Sequence, residues 1–326
     1  MEKVKISVIV PCYNVEDRVR ECLDSLISQS IGVENLELIL VDDASIDGTV
    51  GILKEYEERF PEQVMIILCE ENGRQGKARN IGMSYASGDW ISFVDADDKI
   101  HHKSFEILMD VAEQTDADLI TLKYSSDSSI LETDLMLMED SYRVFELLGE
   151  DERKKFVLRE DLINNSCTQK VYRSDMIQRS GARYAEGVCY EEPLFTYPMR
   201  YFANRVAVTD LPLYFYHLNP NGTINQTMSN PSTILDHLSV QLQLLEFMRK
   251  QNFYQTYRHE IELNFLHCMV YEPYIFLTRR GYEVPESLLK KTRDLVNRLV
   301  PDWENNVFLN LIPEDEQVYI RRIAGK

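Results

Sequence analysis

Three carboxylates fall within four positions, at Asp95, Asp97 and Asp98, directly after the apolar run Ile91-Ser-Phe-Val94. That run reads as a buried strand, and a buried strand that ends in clustered acids needs compensation. Unpaired, the acids repel one another and raise each other's pKa. A hard divalent cation satisfies them, with the phosphates of a nucleotide on its far side. A solvated turn that caps a helix starting near His102 is the plainer alternative, and the flanking chain favours the cation. A second acidic pair, Asp42-Asp43, follows another apolar run, and a third, Glu191-Glu192, precedes Pro193.

The elements that must position these acids alternate regularly. Lys5-Ile-Ser-Val-Ile-Val10 reads as a strand that Pro11 should stop. Asn14 should cap the helix on which Val15, Val19, Cys22, Leu23, Leu26 and Ile27 recur. Strand Leu36–Val41 leads into Asp42-Asp43, and Ser45 or Asp47 should cap a helix to about Arg59. Strand Val64–Cys69, a loop and helix over Asn72–Ala86, strand Asp89–Val94, helix His102–Gln114 and strand Asp118–Tyr124 complete the series. Strands alternating with helices predict an α/β fold with a mixed, mostly parallel sheet flanked by helices. Ligands of such sheets bind beyond the carboxyl ends of the strands. Pro11–Asn14, Asp42-Asp43 and Asp95–Asp98 should therefore meet in one crevice. Neither G-x-G-x-x-G nor a Walker A loop follows the first strand, which argues against dinucleotides or ATP held in those ways.

Beyond Ser125 the rhythm changes. Residues 126–165 are polar and acidic, with a helix expected at Tyr142–Leu148. From about Asn230 the chain reads as helices, with Ile234, Leu238, Leu242, Leu245 and Met248 on one face. Asn219–Pro231 is the expected linker.

Composition narrows the function. Of 326 residues, 54 are acidic and 35 basic, a formal charge of −19, which argues against nucleic acid as a partner. Local basic patches, such as Arg153-Lys154-Lys155, remain. The six cysteines have no zinc spacing, and there is no signal peptide or apolar run of membrane-spanning length, so a cytoplasmic protein with reduced thiols is expected.

Four motifs in order and register, Ser7-Val-Ile-Val-Pro-Cys-Tyr-Asn14, Val41-Asp-Asp-Ala-Ser-Ile-Asp-Gly-Thr49, Ala78-Arg-Asn-Ile-Gly82 and Phe93-Val-Asp-Ala-Asp-Asp98, resemble the family-2 glycosyltransferases of GT-A fold. The resemblance covers about residues 4–225. It implies a GT-A domain over 1–225, with a nucleotide-sugar half (1–125) and an acceptor half (126–225), followed by a helical region over 226–326. It implies an inverting hexosyl- or N-acetylhexosaminyltransferase that uses a nucleotide-diphospho-sugar, most often a UDP-sugar, with Mn²⁺ or Mg²⁺. Carried onto this chain, Asp43 would read uracil N3–H, and Pro11 and Tyr13 would pack on the base. Arg79 would lie near base and phosphates. Asp95 would be the ribose- or metal-contacting first acid of the D-x-D motif. The metal would fall to Asp97 or to Asp98. Asp42 is expected to fix its loop rather than touch ligand. Arg74 stands where the family often has glycine, which implies a differently shaped loop or an added phosphate contact.

The same resemblance places the general base in Tyr184–Phe195, with Glu192 as base and Glu191 as its partner. Glutamate at 192 replaces the usual aspartate. In Leu213–Thr223, His217 stands for an arginine and Thr223 for a serine that reach the pyrophosphate, and His217 would donate to phosphate or ligate the metal. Lys170 is a weaker candidate for acceptor or phosphate contact.

Transferases of this kind commonly build bacterial surface polysaccharide on glycan, lipid-linked or polymeric acceptors at the inner face of the membrane. Peripheral membrane contact through the aromatic-rich stretch Phe265–Tyr282, and a homo-oligomer formed through the C-terminal helices, are further expectations. Two rival readings are a non-catalytic nucleotide-sugar- or glycan-binding homologue and a sugar-phosphate nucleotidyltransferase. The latter would prefer a Gly-rich basic loop where Pro11–Asn14 stands.

Overall fold

The computed structural model describes residues 5–138, 140–159, 161–219, 233–279 and 281–325. The chain divides into two compact units, Met1–Pro220 and Asn221–Lys326.

Unit 1 is built on a nine-stranded sheet among its described residues. Its first strands, β1 (Ile6–Cys12), β2 (Leu36–Asp42), β3 (Val64–Leu68) and β4 (Trp90–Phe93), lie parallel in the order β3-β2-β1-β4. Both faces of β1 and β4 are buried throughout, which is why these stretches are apolar runs rather than alternating ones. The sheet continues through β8 (Lys170–Arg173), antiparallel to β4, then β6 (Leu119–Ser125) and β9 (Arg205–Phe215). The short β5 (Lys99–Ile100) and β7 (Tyr142–Glu146) both pair antiparallel with β9. Helices α1 (Val19–Ile27), α2 (Thr49–Arg59), α3 (Arg74–Tyr85) and α4 (Ser104–Thr115) form the crossovers of the first half. Helices α5 (Glu150–Val157), α6 (Ser174–Ser180) and α7 (Pro193–Phe202) belong to the second.

Several local expectations are corrected. Strand β1 runs through Pro11 to Cys12. Pairing with β4 ends at Ile9↔Phe93, whereas pairing with β2 continues to Cys12↔Asp42, so the missing N–H of Pro11 falls on the side where the ladder has already stopped. Asn14 does not cap α1. It has φ 51°, and its side chain accepts from Ile46 N at 2.9 Å, tying the first strand end to the second. Asp47 does serve the start of α2, where its Oδ1 accepts from Thr49 N at 3.0 Å. Tyr142–Leu148 is not a helix. Tyr142–Glu146 pairs with β9, and the Phe145 ring packs at a tilt, 5.3 Å between centres, on Phe156 of α5. A short aromatic and β-branched run fits either period, and an available strand edge decided it. Arg153-Lys154-Lys155 is not a basic patch either. Arg153 is buried among backbone carbonyls, and Lys154 pairs with Glu150 one turn earlier.

Unit 2 is helical where described: α8 (Ile234–Arg249), α9 (Arg258–Leu266), α10 (Glu272–Arg279), α11 (Glu286–Leu299) and α12 (Glu314–Ala324). The expected α8 stripe turns inward, with Ile234, Leu238, Leu245 and Met248 buried and Leu242 half-buried. A π turn over His267–Tyr271 joins α9 to α10. It precedes Pro273, which cannot donate to a carbonyl four residues back. His267 is gripped by Glu316 at 2.6 Å and Glu272 at 3.5 Å. Burial alone would strip its proton, but the two carboxylates outweigh burial and raise the imidazole to about 10. Phe265 and Tyr274 are core residues of this unit, and Tyr271 and Phe276 are half-buried. The stretch thus offers no exposed aromatic band for a membrane, with Tyr282 its one exposed aromatic. Among the described residues, no helix is long and apolar enough to cross a membrane.

Candidate active site

Because β2, β1 and β4 are parallel neighbours, their carboxyl ends open on one edge of the sheet. Asp43 N donates to Cys12 O at 2.8 Å, and Val94 N to Ile9 O at 3.1 Å, so the three polar clusters are stitched side by side. The convergence expected of Pro11–Asn14, Asp42-Asp43 and Asp95–Asp98 is present. Pro11 is buried in the floor, whereas Tyr13 is 46% exposed at the rim. Asp42 fixes the loop, accepting from Ser45 N at 3.0 Å.

Asp43 is buried, and its Oδ1 accepts from Gly73 N at 2.8 Å. Burial pushes its pKa up against the pull of the Gly73 and Arg74 N–H groups. One carboxylate oxygen is therefore anchored at the start of α3. Arg74 opens that helix at φ 65°, a backbone conformation that glycine adopts freely. Its guanidinium lies 2.7 Å from Cys189 Sγ, turned toward the 185–192 segment.

Helix α3 packs hard on both halves of unit 1. A Cβ at Gly82 would sit 2.4 Å from Ile9 of β1, and one at Gly76 would sit 2.0 Å from Ala185 O. Between these two glycines lies Arg79, 1% exposed. Its guanidinium donates to Asp95 Oδ1 at 2.8 Å, to Glu191 Oε1 at 2.5 Å and to Gln75 Oε1 at 2.9 Å, and lies 5.4 Å from the Tyr184 ring centre. Arg79 is thus not an open contact for base or phosphates. It is the buried cation that joins the first acid of the D-x-D run to the Glu191-Glu192 pair.

The remaining acids are distinguished by their partners. Asp98 is 1% exposed and both its oxygens are engaged, Oδ2 by Tyr214 OH at 2.6 Å and Oδ1 by His217 N at 2.8 Å. Burial, then the Asp95 charge, push its pKa up to about 8. Tyr214 OH also accepts from Asp95 N at 3.1 Å, so β9 holds the acidic turn at two points. Asp97 is partly exposed, with Asn219 hydrogen-bonded to it and the His217 side chain beside it. Burial and Asp95 raise its pKa as well. Among the described residues, no three His, Cys, Asp or Glu side chains gather into a closed metal site. An open edge offering Asp97, raised by burial and by the Asp95 charge, with Asp95 beside it, suits instead a cation whose other ligands are phosphate oxygens and water. Thr223 lies outside the described residues.

Glu192 caps α7 from the position before Pro193, without a side-chain hydrogen bond to the helix. Its Oε1 accepts from Cys167 N at 2.7 Å, a contact 25 residues away in the chain. Burial raises its pKa, Arg79 opposes, and the Glu191 charge adds to the rise. Tyr190, at φ 61°, turns the chain so that Glu191 and Glu192 diverge, one toward Arg79 and one toward Cys167. Lys170 is 1% exposed, its ammonium taken by Asn164 Oδ1 and Ser166 O. Tyr214, Asn219, Gln75 and Cys167 were not singled out from the sequence. Tyr214 lies in the Leu213–Thr223 stretch, but nothing in the chain order pairs it with Asp98.

The profile of the glycosyl transferase family 2 matches residues 7–181. An uncharacterized glycosyltransferase of Escherichia coli, YibD, is 28% identical over 76% of this chain and 71% of its own length. An uncharacterized glycosyltransferase of Bacillus subtilis, EpsJ, is 31% identical over 67% of this chain and 62% of its own. The poly(ribitol-phosphate) β-N-acetylglucosaminyltransferase TarS of Staphylococcus aureus is 27% identical over 67% of this chain, which spans only 36% of that protein. The solved 1–349 fragment of TarS, in complex with UDP-GlcNAc, superposes with a TM-score of 0.74 at 22% identity, covering 98% of this chain and 88% of that one. At that identity the likeness concerns the fold: a GT-A sheet followed by helices.

Proposed function

The chain belongs to the family-2 glycosyltransferases, and from that premise we propose that it moves a sugar from a UDP-sugar to a hydroxyl of a glycan, lipid-linked or polymeric acceptor of surface polysaccharide, inverting the anomeric centre. One observation carries the reading. Arg79 couples Asp95 of the donor crevice to Glu191, beside Glu192, so that metal-type acids and a base-type acid border the same space. The UDP-GlcNAc held by the staphylococcal structure supports a uridine donor.

In this reading, the free oxygen of Asp43 accepts the uracil N3–H, Pro11 and Tyr13 border the base, and Asp95 faces the ribose. Asp97, with Asp95 beside it, would hold Mn²⁺ or Mg²⁺, which when bound would supply neutralisation of the charge on the departing diphosphate. Asp98 is left with the work of fixing the turn, since both its oxygens are taken. His217, whose N–H is spent on Asp98, presents its ring near Asp97, where it donates to phosphate or completes the cation's shell. Thr223 is assigned to the diphosphate from the family motif alone. Glu192 takes the acceptor proton as that oxygen attacks the anomeric carbon from the face opposite the leaving UDP. Its pKa, raised by burial, makes it a stronger base than an open glutamate.

The test is calorimetry with UDP, GDP, CDP and dTDP, with and without Mn²⁺, on the natural chain and Asp97→Ala. Metal-dependent binding of UDP, weakened in the variant, is expected. Failure of every nucleotide to bind a folded protein would move the reading to a binding module without transfer.

A further inference from the structure

A buried cation that the chemistry above leaves unused lies behind the proposed base. Lys170, the first residue of β8, is 1% exposed. Its Nζ donates to Asn164 Oδ1 at 2.8 Å and to Ser166 O. Asn164 in turn accepts from Ser166 N at 3.0 Å and donates to Gln169 Oε1 at 2.9 Å. The loop 164–169 is therefore wound around one ammonium, and Gln169 O accepts from Leu122 N on the neighbouring strand. That loop makes the contact that matters: Cys167 N on Glu192 Oε1. Without it, Glu192 would be a long side chain with three free torsions at a helix start.

We propose that Lys170 is a positioning residue for the base, its ammonium holding the 164–169 loop so that the Cys167 N–H fixes Glu192 and leaves Oε2 to meet the acceptor. The inference rests on Glu192 being the base. A bound N–H also favours the ionised carboxylate, the form a base requires. Burial pushes the Lys170 ammonium down to about 7, with the Glu192 charge holding it up, so the loop is organised around a cation that its surroundings barely keep charged.

The experiment uses the full chain and four variants: Lys170→Met, Asn164→Leu, Glu192→Gln and the double Lys170→Met/Glu192→Gln. Asn164 is exposed, so its variant keeps the question open should Lys170→Met fail to fold. Amide exchange of the 164–169 peptide is read first and needs no substrate. Turnover is read as UDP release from UDP-GlcNAc or UDP-glucose with Mn²⁺. Faster exchange at 164–169 is expected in both loop variants, with a kcat loss of about 10–100-fold, a small change in KM for the donor, and no further loss when Lys170→Met is added to Glu192→Gln. Unchanged exchange in both loop variants overturns the proposal. So does undiminished kcat where Glu192→Gln is inactive, or a further loss in the double variant. If Glu192→Gln keeps full turnover, the base assignment fails instead, and the proposal falls with it, whatever the loop does.

Discussion

The two halves of unit 1 place their acids by different means. On the side proposed for the donor, Asp43, Asp95 and Asp97 stand at the ends of parallel strands, and the register of β2, β1 and β4 brings them together before any side-chain contact adds to it. On the side proposed for the acceptor, Glu191 and Glu192 sit on an irregular segment, and buried cations hold it and the elements around it. Arg79 takes Glu191, Lys170 organises the loop on Glu192, Arg200 binds Val157 O and Asn165, and Arg153 binds Leu147 O and the end of α7. A sheet edge tolerates side-chain change because the backbone does the positioning. A segment hung on buried charges does not, since each unpaired partner is left uncompensated.

The sharpest way to separate the halves is Glu192→Gln. It should lower kcat about a thousandfold while calorimetric UDP binding stays unchanged. Equal loss of both would mean that the halves are not separable. Arg79→Met attacks the one residue they share. It leaves Asp95 and Glu191 without their cation and should cost about 3–5 kcal/mol of stability, a fall in Tm on the order of 10 °C, readable by calorimetric melting. Gly76→Ala should push α3 from the Ala185 backbone, cutting turnover several-fold more than UDP affinity in parallel kinetic and titration assays.

A smaller effect concerns pH. As the proposed base, Glu192 would have to be ionised, and its pKa is raised, so activity should be lost, on acidification, above the ordinary glutamate value of 4.5. Glu191→Gln removes the like charge that adds to that rise and leaves Arg79 more available to oppose it. The acid limb of the kcat profile should then move to lower pH, and a move upward would contradict the electrostatics described. The smallest effect belongs to the donor side. Asp47→Ala removes the acceptor for Thr49 N and should cost about 1 kcal/mol in denaturant unfolding, with kcat unaltered.

The contrast also explains what could be read in advance. Strands and crossover helices of residues 5–125 carry apolar runs, turns and motifs within short windows, so both fold and crevice were legible there. The Tyr142–Leu148 helix failed because five residues of an edge strand carry no decisive period, and the residues they pair with on β9 lie 59 to 67 positions away. Lys170 and Arg79 misled in the same manner. A cation beside a motif suggests an anionic ligand, and only burial shows that its anions are the protein's own.

The amino-acid sequence by itself determined the parallel sheet, the clustering of Asp43 and Asp95–Asp98 at strand ends, and the family, because each depends on local patterns of apolarity and spacing. Tertiary structure decided which acids stay available. Asp98 is consumed by Tyr214 and His217, Glu191 by Arg79, and one oxygen of Glu192 by Cys167. Hydrogen bonds between residues 25 to 119 positions apart leave no periodic trace in a chain, and their geometry exists only once the core has closed around them.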